Sequence, residues 1–140
     1  MTIVVGVDGS RESIAALRFA IGEARLRAET VRAVIAWHIA AAATSTGFAP
    51  ASLDPAEQKE AARDILARAV ESVNEARQVR VETVVREGDA AHVLLEESGS
   101  ATQLVVGCRN LHLVGRMLHH SVSGHCTRDA HCPVTVVHDG

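Results

Sequence analysis

Short β-branched runs alternate with amphipathic helical stretches along the whole chain, and this restricts the fold more than any single motif. Ile3 to Val7 is apolar without polar alternation, the pattern of a strand covered on both faces, and Asp8-Gly9-Ser10 closes it. From Arg11 to Ala28 the residues Ile14, Leu17, Ile21 and Ala24 recur at helical spacing, with Ser10 placed as the cap. Val31 to Trp37 repeats the buried-strand pattern. After it comes a tract of small residues, Ala40 to Ser52, which reads as a surface loop. Asp54-Pro55-Ala56-Glu57 combines an N-cap, a proline at the first helical position and an acid at the third. Ala62, Ile65, Leu66, Ala69, Val73 and Ala76 then mark a long helix. Val79 to Val85 predicts a strand, Gly88-Asp89 a turn and cap, and Ala91, Leu94 and Leu95 a short helix ended by Gly99. Gln103 to Gly107 is the next buried strand. Ser121 to Ala130 predicts a last helix, in which Gly124 costs about 1 kcal/mol relative to alanine. Pro133 opens a final strand, Val134 to Val137.

Strands joined by four helical crossovers fold, by right-handed connections, into an open parallel sheet of α/β class with helices on both faces. Ligands of such sheets enter beyond the carboxyl ends of the strands, where the strand order reverses. The candidate turns are Asp8-Gly9-Ser10 after the first strand and Gly107 to Asn110 after the fourth, the two strand exits richest in glycine and polar residues.

Composition narrows the function. A chain of 140 residues fits one domain, residues 1–140, and 47% hydrophobic with 22% charged residues argues against disorder. No apolar run approaches the roughly 20 residues that span a bilayer. The net charge of −3 with scattered basic residues argues against nucleic acid, and Trp37, Phe19 and Phe48 are too few for base-stacking platforms. The first residues carry no secretion-signal pattern, so the cytoplasm is the expected compartment. Cys108, Cys126 and Cys132 are too few for a disulfide framework, and reduced thiols are expected.

At these motifs the sequence resembles the universal stress protein family. The resemblance rests on Ile3-Val-Val-Gly-Val-Asp-Gly-Ser10, Ala36-Trp37, Gly88-Asp89, Leu104-Val-Val-Gly107, Ser121-Val-Ser123 and Cys132-Pro-Val-Thr-Val-Val137. It implies a Rossmann-like sheet of the adenine nucleotide alpha hydrolase type, with five parallel strands in the order 3-2-1-4-5. It also implies a stress-response role and a homodimer through the last strand, Val134, Thr135, Val136 and Val137. Nucleotide-binding members resemble Gly-x-x-Gly, nine residues, then Gly-Ser or Gly-Thr. Here Gly107 and Ser121 match, while Asn110 and His120 stand where glycine is expected. By the same resemblance Asp8 would accept hydrogen bonds from ribose and the backbone near Ala36 would read the adenine edge. Gly107, Arg109 and Asn110 with His120, Ser121, Val122 and Ser123 would wrap the phosphates of ATP or AMP, with magnesium as a possible companion, and Gly6 and Val106 complete the nucleotide-binding set the resemblance implies.

Glycine suits such loops because backbone N–H groups must approach phosphate closely and φ is often positive. Asparagine tolerates the left-handed region, so Asn110 is a mild change. His120 is harsher, because its imidazole immediately precedes a helix N-terminus where phosphate would otherwise meet bare amides. These two substitutions point to a regulatory or binding module with weakened or lost nucleotide affinity. An ATP- or AMP-binding sensor with at most slow hydrolysis is the alternative.

Further readings attach to other features. Leu111 to Leu118 is apolar where the family runs glycine-rich, and either packs beneath the loop or docks a protein partner. Seven of the eleven His and Cys residues fall between His112 and Cys132, the basis of a metal- or redox-responsive alternative. Spacing argues against a metal, since there is no Cys-x-x-Cys, and Cys126 and Cys132 fall at positions expected to be buried. Cys108, beside Arg109, is the better candidate for a reactive thiol. No nucleophile elbow, Walker-type loop or paired carboxylates appear, so no catalytic residue is assigned.

Overall fold

The structure is a computed structural model that describes residues 1–38, 54–73, 77–108 and 122–138. Its elements run β1 (Thr2–Gly6), α1 (Arg11–Arg27), β2 (Thr30–Trp37), α2 (Pro55–Ser72), β3 (Val81–Glu87), α3 (Ala90–Glu97), β4 (Gln103–Cys108), α4 (Val122–Asp129) and β5 (Val134–His138). The five strands form one parallel sheet in the order β3-β2-β1-β4-β5, as the resemblance implied. The Ala40 to Ser52 tract and the Leu111 to Leu118 segment lie outside the described residues.

The caps read from the sequence are in place. Ser10 accepts from the Ser13 amide at 3.2 Å, Asp54 from Ala56 at 3.0 Å and Asp89 from His92 at 3.2 Å. Each satisfies an amide that the first turn of its helix leaves unbonded. Ala28 is the left-handed C-cap of α1 at φ 56°, not its last turn, and donates back to Ala24. β3 starts two residues later than the expected Val79 and runs on to Glu87, because it pairs with β2 along its full length, Val31 with Val81 through Trp37 with Glu87. α2 ends at Ser72, and Val73 turns into extended backbone while remaining buried. α3 ends with Ser98, not Gly99, as the cap residue.

Two apolar layers flank the sheet. On one face α1 covers β1, β4 and β5 while α2 covers β2 and β3, around Ile3, Val5, Leu17, Ile21, Val31 and Leu66. On the other, α3 lies over β1 and β2 and α4 over β4 and β5, around Val4, Val34, Val93, Leu104, Val106 and Cys126. Consecutive residues of β1 enter opposite layers, which is why the run lacks polar alternation. At the β3 side the second layer is closed by charge. Arg86 reaches Glu96 at 2.9 Å and Glu97 at 3.3 Å, and Arg32 reaches Glu82 and Glu97, each at 3.5 Å. Among the described residues no helix is long and apolar enough to cross a membrane.

Candidate functional site

The strand order reverses between β1 and β4, which leave in opposite directions across the sheet, and the crevice at their carboxyl ends is the candidate site. The turn after β1 is held by a closed set of hydrogen bonds. The Ser10 amide donates to Asp8 Oδ1 at 2.9 Å, the Asp8 amide donates to Ser13 Oγ at 3.2 Å, and Ser13 Oγ donates to the Ser10 carbonyl at 3.0 Å. Asp8 is exposed while Ser13 is buried, so the carboxylate sits at the surface on a buried support. Gly9 has φ +86°, and a β-carbon there would lie 2.9 Å from Ile65 Cγ2. Ile65 was expected on the apolar face of α2; instead it is 40% exposed and reaches over this turn.

Ala36 follows from strand parity. The Val7 amide donates to the Val34 carbonyl at 2.8 Å, so the backbone groups of Val34 face β1. N–H and C=O of alternate residues point to the same side of a strand. Ala36, two residues on, therefore turns its backbone donor and acceptor toward β1, past its last paired residue, Gly6. Trp37, next in the strand, accepts from the Gly88 amide at 2.8 Å on the β3 side, and its buried indole N–H has no hydrogen-bond partner among the described residues.

β4 meets the same place from the other side. A β-carbon at Gly107 would lie 2.6 Å from both the carbonyl carbon and the carbonyl oxygen of Glu12. The absence of a side chain at Gly107 thus lets the end of β4 press against the first turn of α1, which brings the two candidate turns together. Gly6 has a separate reason to be glycine: a β-carbon there would lie 2.8 Å from Leu94 Cδ1 of α3. Val106 is buried in the α3–α4 layer, so only its backbone is available to a ligand. At the start of α4, Val122 is exposed and Ser123 is buried. Arg109, Asn110, His120 and Ser121 lie outside the described residues.

Sequence reasoning missed Ser13 and Ile65 as parts of this site. For Ser13 a weak signal existed: it occupies the third helical position, where a capping box would carry Glu or Gln. The thiols give no activated group in the second layer. Burial, with smaller contributions from Cys132, Asp129 and Asp89, pushes Cys126 up to about 11, and burial also raises Cys132. Among the described residues no group of three or more His, Cys, Asp or Glu is placed to hold a metal ion.

Residues 1–138 match the universal stress protein family. The chain belongs to that family. It is 35% identical to a universal stress protein of Mycolicibacterium smegmatis over 97% of its own length and 47% of the relative's. A universal stress protein of Mycobacterium tuberculosis is 31% identical over the same shares. The chain thus spans about half the length of the curated relatives it matches. Among solved structures, a universal stress protein in complex with cAMP superposes with a TM-score of 0.76 at 25% identity, over 100% of this chain and 98% of that one. The Archaeoglobus fulgidus universal stress protein in complex with dAMP gives 0.71 at 23% identity, over 98% and 97% of the two chains.

Proposed function

We propose that this universal stress protein is a regulatory module that binds adenine mononucleotides weakly, through a retained nucleoside-reading half and an impaired phosphate-holding half. The observation that carries the reading is the pairing of an anchored Asp8 carboxylate with the backbone of Ala36, which extends past the end of β1. A carboxylate accepts from ribose hydroxyls, and a backbone donor and acceptor side by side match the edge of adenine. The universal stress protein seen with cAMP supports a ligand carrying one phosphate. Such a ligand asks less of residues 107–123 than ATP does. By the resemblance, Asn110 and His120 stand where nucleotide-binding members carry glycine, and a histidine immediately before a helix N-terminus opposes each added phosphate that would seek bare amides there.

Trp37 is the only tryptophan and lies next to Ala36, so its fluorescence reports on the site. Titration with AMP or cAMP should quench it saturably, and Asp8→Ala should weaken binding by roughly tenfold, the scale of a lost hydrogen bond to a charged group. ATP should bind less well than AMP, and His120→Gly should narrow that gap. If neither the protein nor the His120→Gly variant responds to AMP, cAMP or ATP, the nucleotide reading fails and a ligand-free interaction module takes its place.

A further inference from the structure

We propose that the groove between α2 and β3 is a second ligand site, for a small monocarboxylate with a short aliphatic tail. It shares no residue with the crevice above Asp8. The groove has a volume of about 280 Å³ and is lined by Lys59, Arg63, Leu66, Ala67, Thr83 and Val85. The lining follows from two periodicities. Lys59, Arg63 and Ala67 are spaced four apart and share one stripe of α2, with Leu66 beside them. Thr83 and Val85 are two apart and share one face of β3. A cationic rim therefore lies over an apolar floor.

The charges at the rim select the ligand. Arg63 Nη1 is paired with Glu60 at 3.1 Å, so Lys59, Arg63 and Glu60 together carry one net positive charge. That balances a monoanion and leaves a dianionic phosphate uncompensated. Lys59 makes no ion pair among the described residues, and the Arg63–Glu60 pair is more than half exposed on both sides, so it yields readily to a second carboxylate. Arg63 offers a planar fork suited to carboxylate, and the Thr83 hydroxyl stands across the groove as a further donor. Ala67 and Val85 give a tail an apolar surface, with the buried Leu66 beneath them, and a volume at the small end of ligand pockets limits its length.

Lys59 is the only lysine of the chain, which makes the site separately observable. Reductive methylation with ¹³C-formaldehyde keeps the charge and labels only Lys59 Nζ and the chain's amino terminus. Titration with sodium hexanoate should move the Lys59 methyl signal saturably while the terminal signal stays in place. Acetate, which lacks the tail, should bind at least about tenfold less tightly. Ala67→Leu, at an exposed position that fills the groove, should abolish saturation, and so should Thr83→Val with Arg63→Gln if the first variant folds poorly. A linear drift indistinguishable from that with acetate overturns the proposal. So does a saturable shift that survives Ala67→Leu, because the cations alone would then account for it. Added AMP should leave this titration unchanged, because the groove lining contains none of the nucleotide-site residues, so failure of one site is distinguishable from failure of the other.

Discussion

A β-carbon 2.6 Å from the Glu12 carbonyl group cannot be relieved by rotating a side chain, because the neighbouring atoms are backbone. Gly107→Ala should therefore destabilise the fold by about 1–3 kcal/mol, the range for overpacking, measured by urea denaturation. Gly6→Ala should cost less, since its close neighbour is the end of the Leu94 side chain, which has other rotamers. A loss of nucleotide binding in Gly107→Ala consequently says little about phosphate contact. Cys126 shows the same dominance of packing over chemistry. Burial raises its thiol from an ordinary value of 9.0 to about 11, so the native state holds a proton that the unfolded chain releases. Its contribution to stability is complete below the ordinary value and is lost as pH rises toward about 11, and Cys132, raised by burial too, acts in the same sense. The urea midpoint should fall across that alkaline window, and Cys126→Ala should flatten the fall.

Between β1 and α1, the Ser13 hydroxyl makes two of the bonds that hold the turn. Ser13 Oγ accepts from the Asp8 amide and donates to the Ser10 carbonyl, which ties the turn after β1 to the first turn of α1. Ser13→Ala removes both bonds from a part-buried turn whose Asp8 end is open to water, and should cost about 0.5–1.5 kcal/mol in thermal or urea unfolding. AMP affinity should fall with it, although Ser13 need not touch the ligand, because the Asp8 carboxylate loses its support. The turn also shows what the sequence could and could not reveal. Ser10, Asp54-Pro55 and Asp89 were readable because a cap is a local contest between one side chain and the next few amides. The central strands β1 and β4 were readable because burial on both faces leaves an unbroken apolar run. Ile65 was misplaced because helical spacing places a residue on a stripe without saying whether sheet or turn lies beneath it. The reason for glycine at position 107 was equally hidden, since the approach of Glu12 across the sheet joins residues far apart in sequence. The phosphate end was legible as a motif only, through Gly107, Asn110, His120 and Ser121.

The whole molecule has two sheet edges of unlike character. β3 carries Glu82, Arg86 and Glu87, and its neighbourhood is tied up in ion pairs with Arg32, Glu96 and Glu97, a pattern that opposes pairing with another strand. β5 presents Val134, Thr135, Val136 and Val137, uncharged and half-buried, and we infer that this edge joins two copies into a homodimer. The backbone specifies how to test it. The Leu104 amide donates to the Pro133 carbonyl at 2.9 Å, so residues 133, 135 and 137 face β4 while Val134 and Val136 turn their backbone outward. Val136→Pro deletes an outward N–H, leaves the ladder to β4 whole, and keeps a side chain of similar size over the α4 layer. Light scattering at tens of micromolar should give the mass of two chains for the unaltered protein and of one for Val136→Pro, with little loss of thermal stability. A monomeric parent would remove the inference. A dimeric proline variant would move the contact to another surface, because an edge lacking the Val136 donor cannot complete the ladder that β5 would form with its copy.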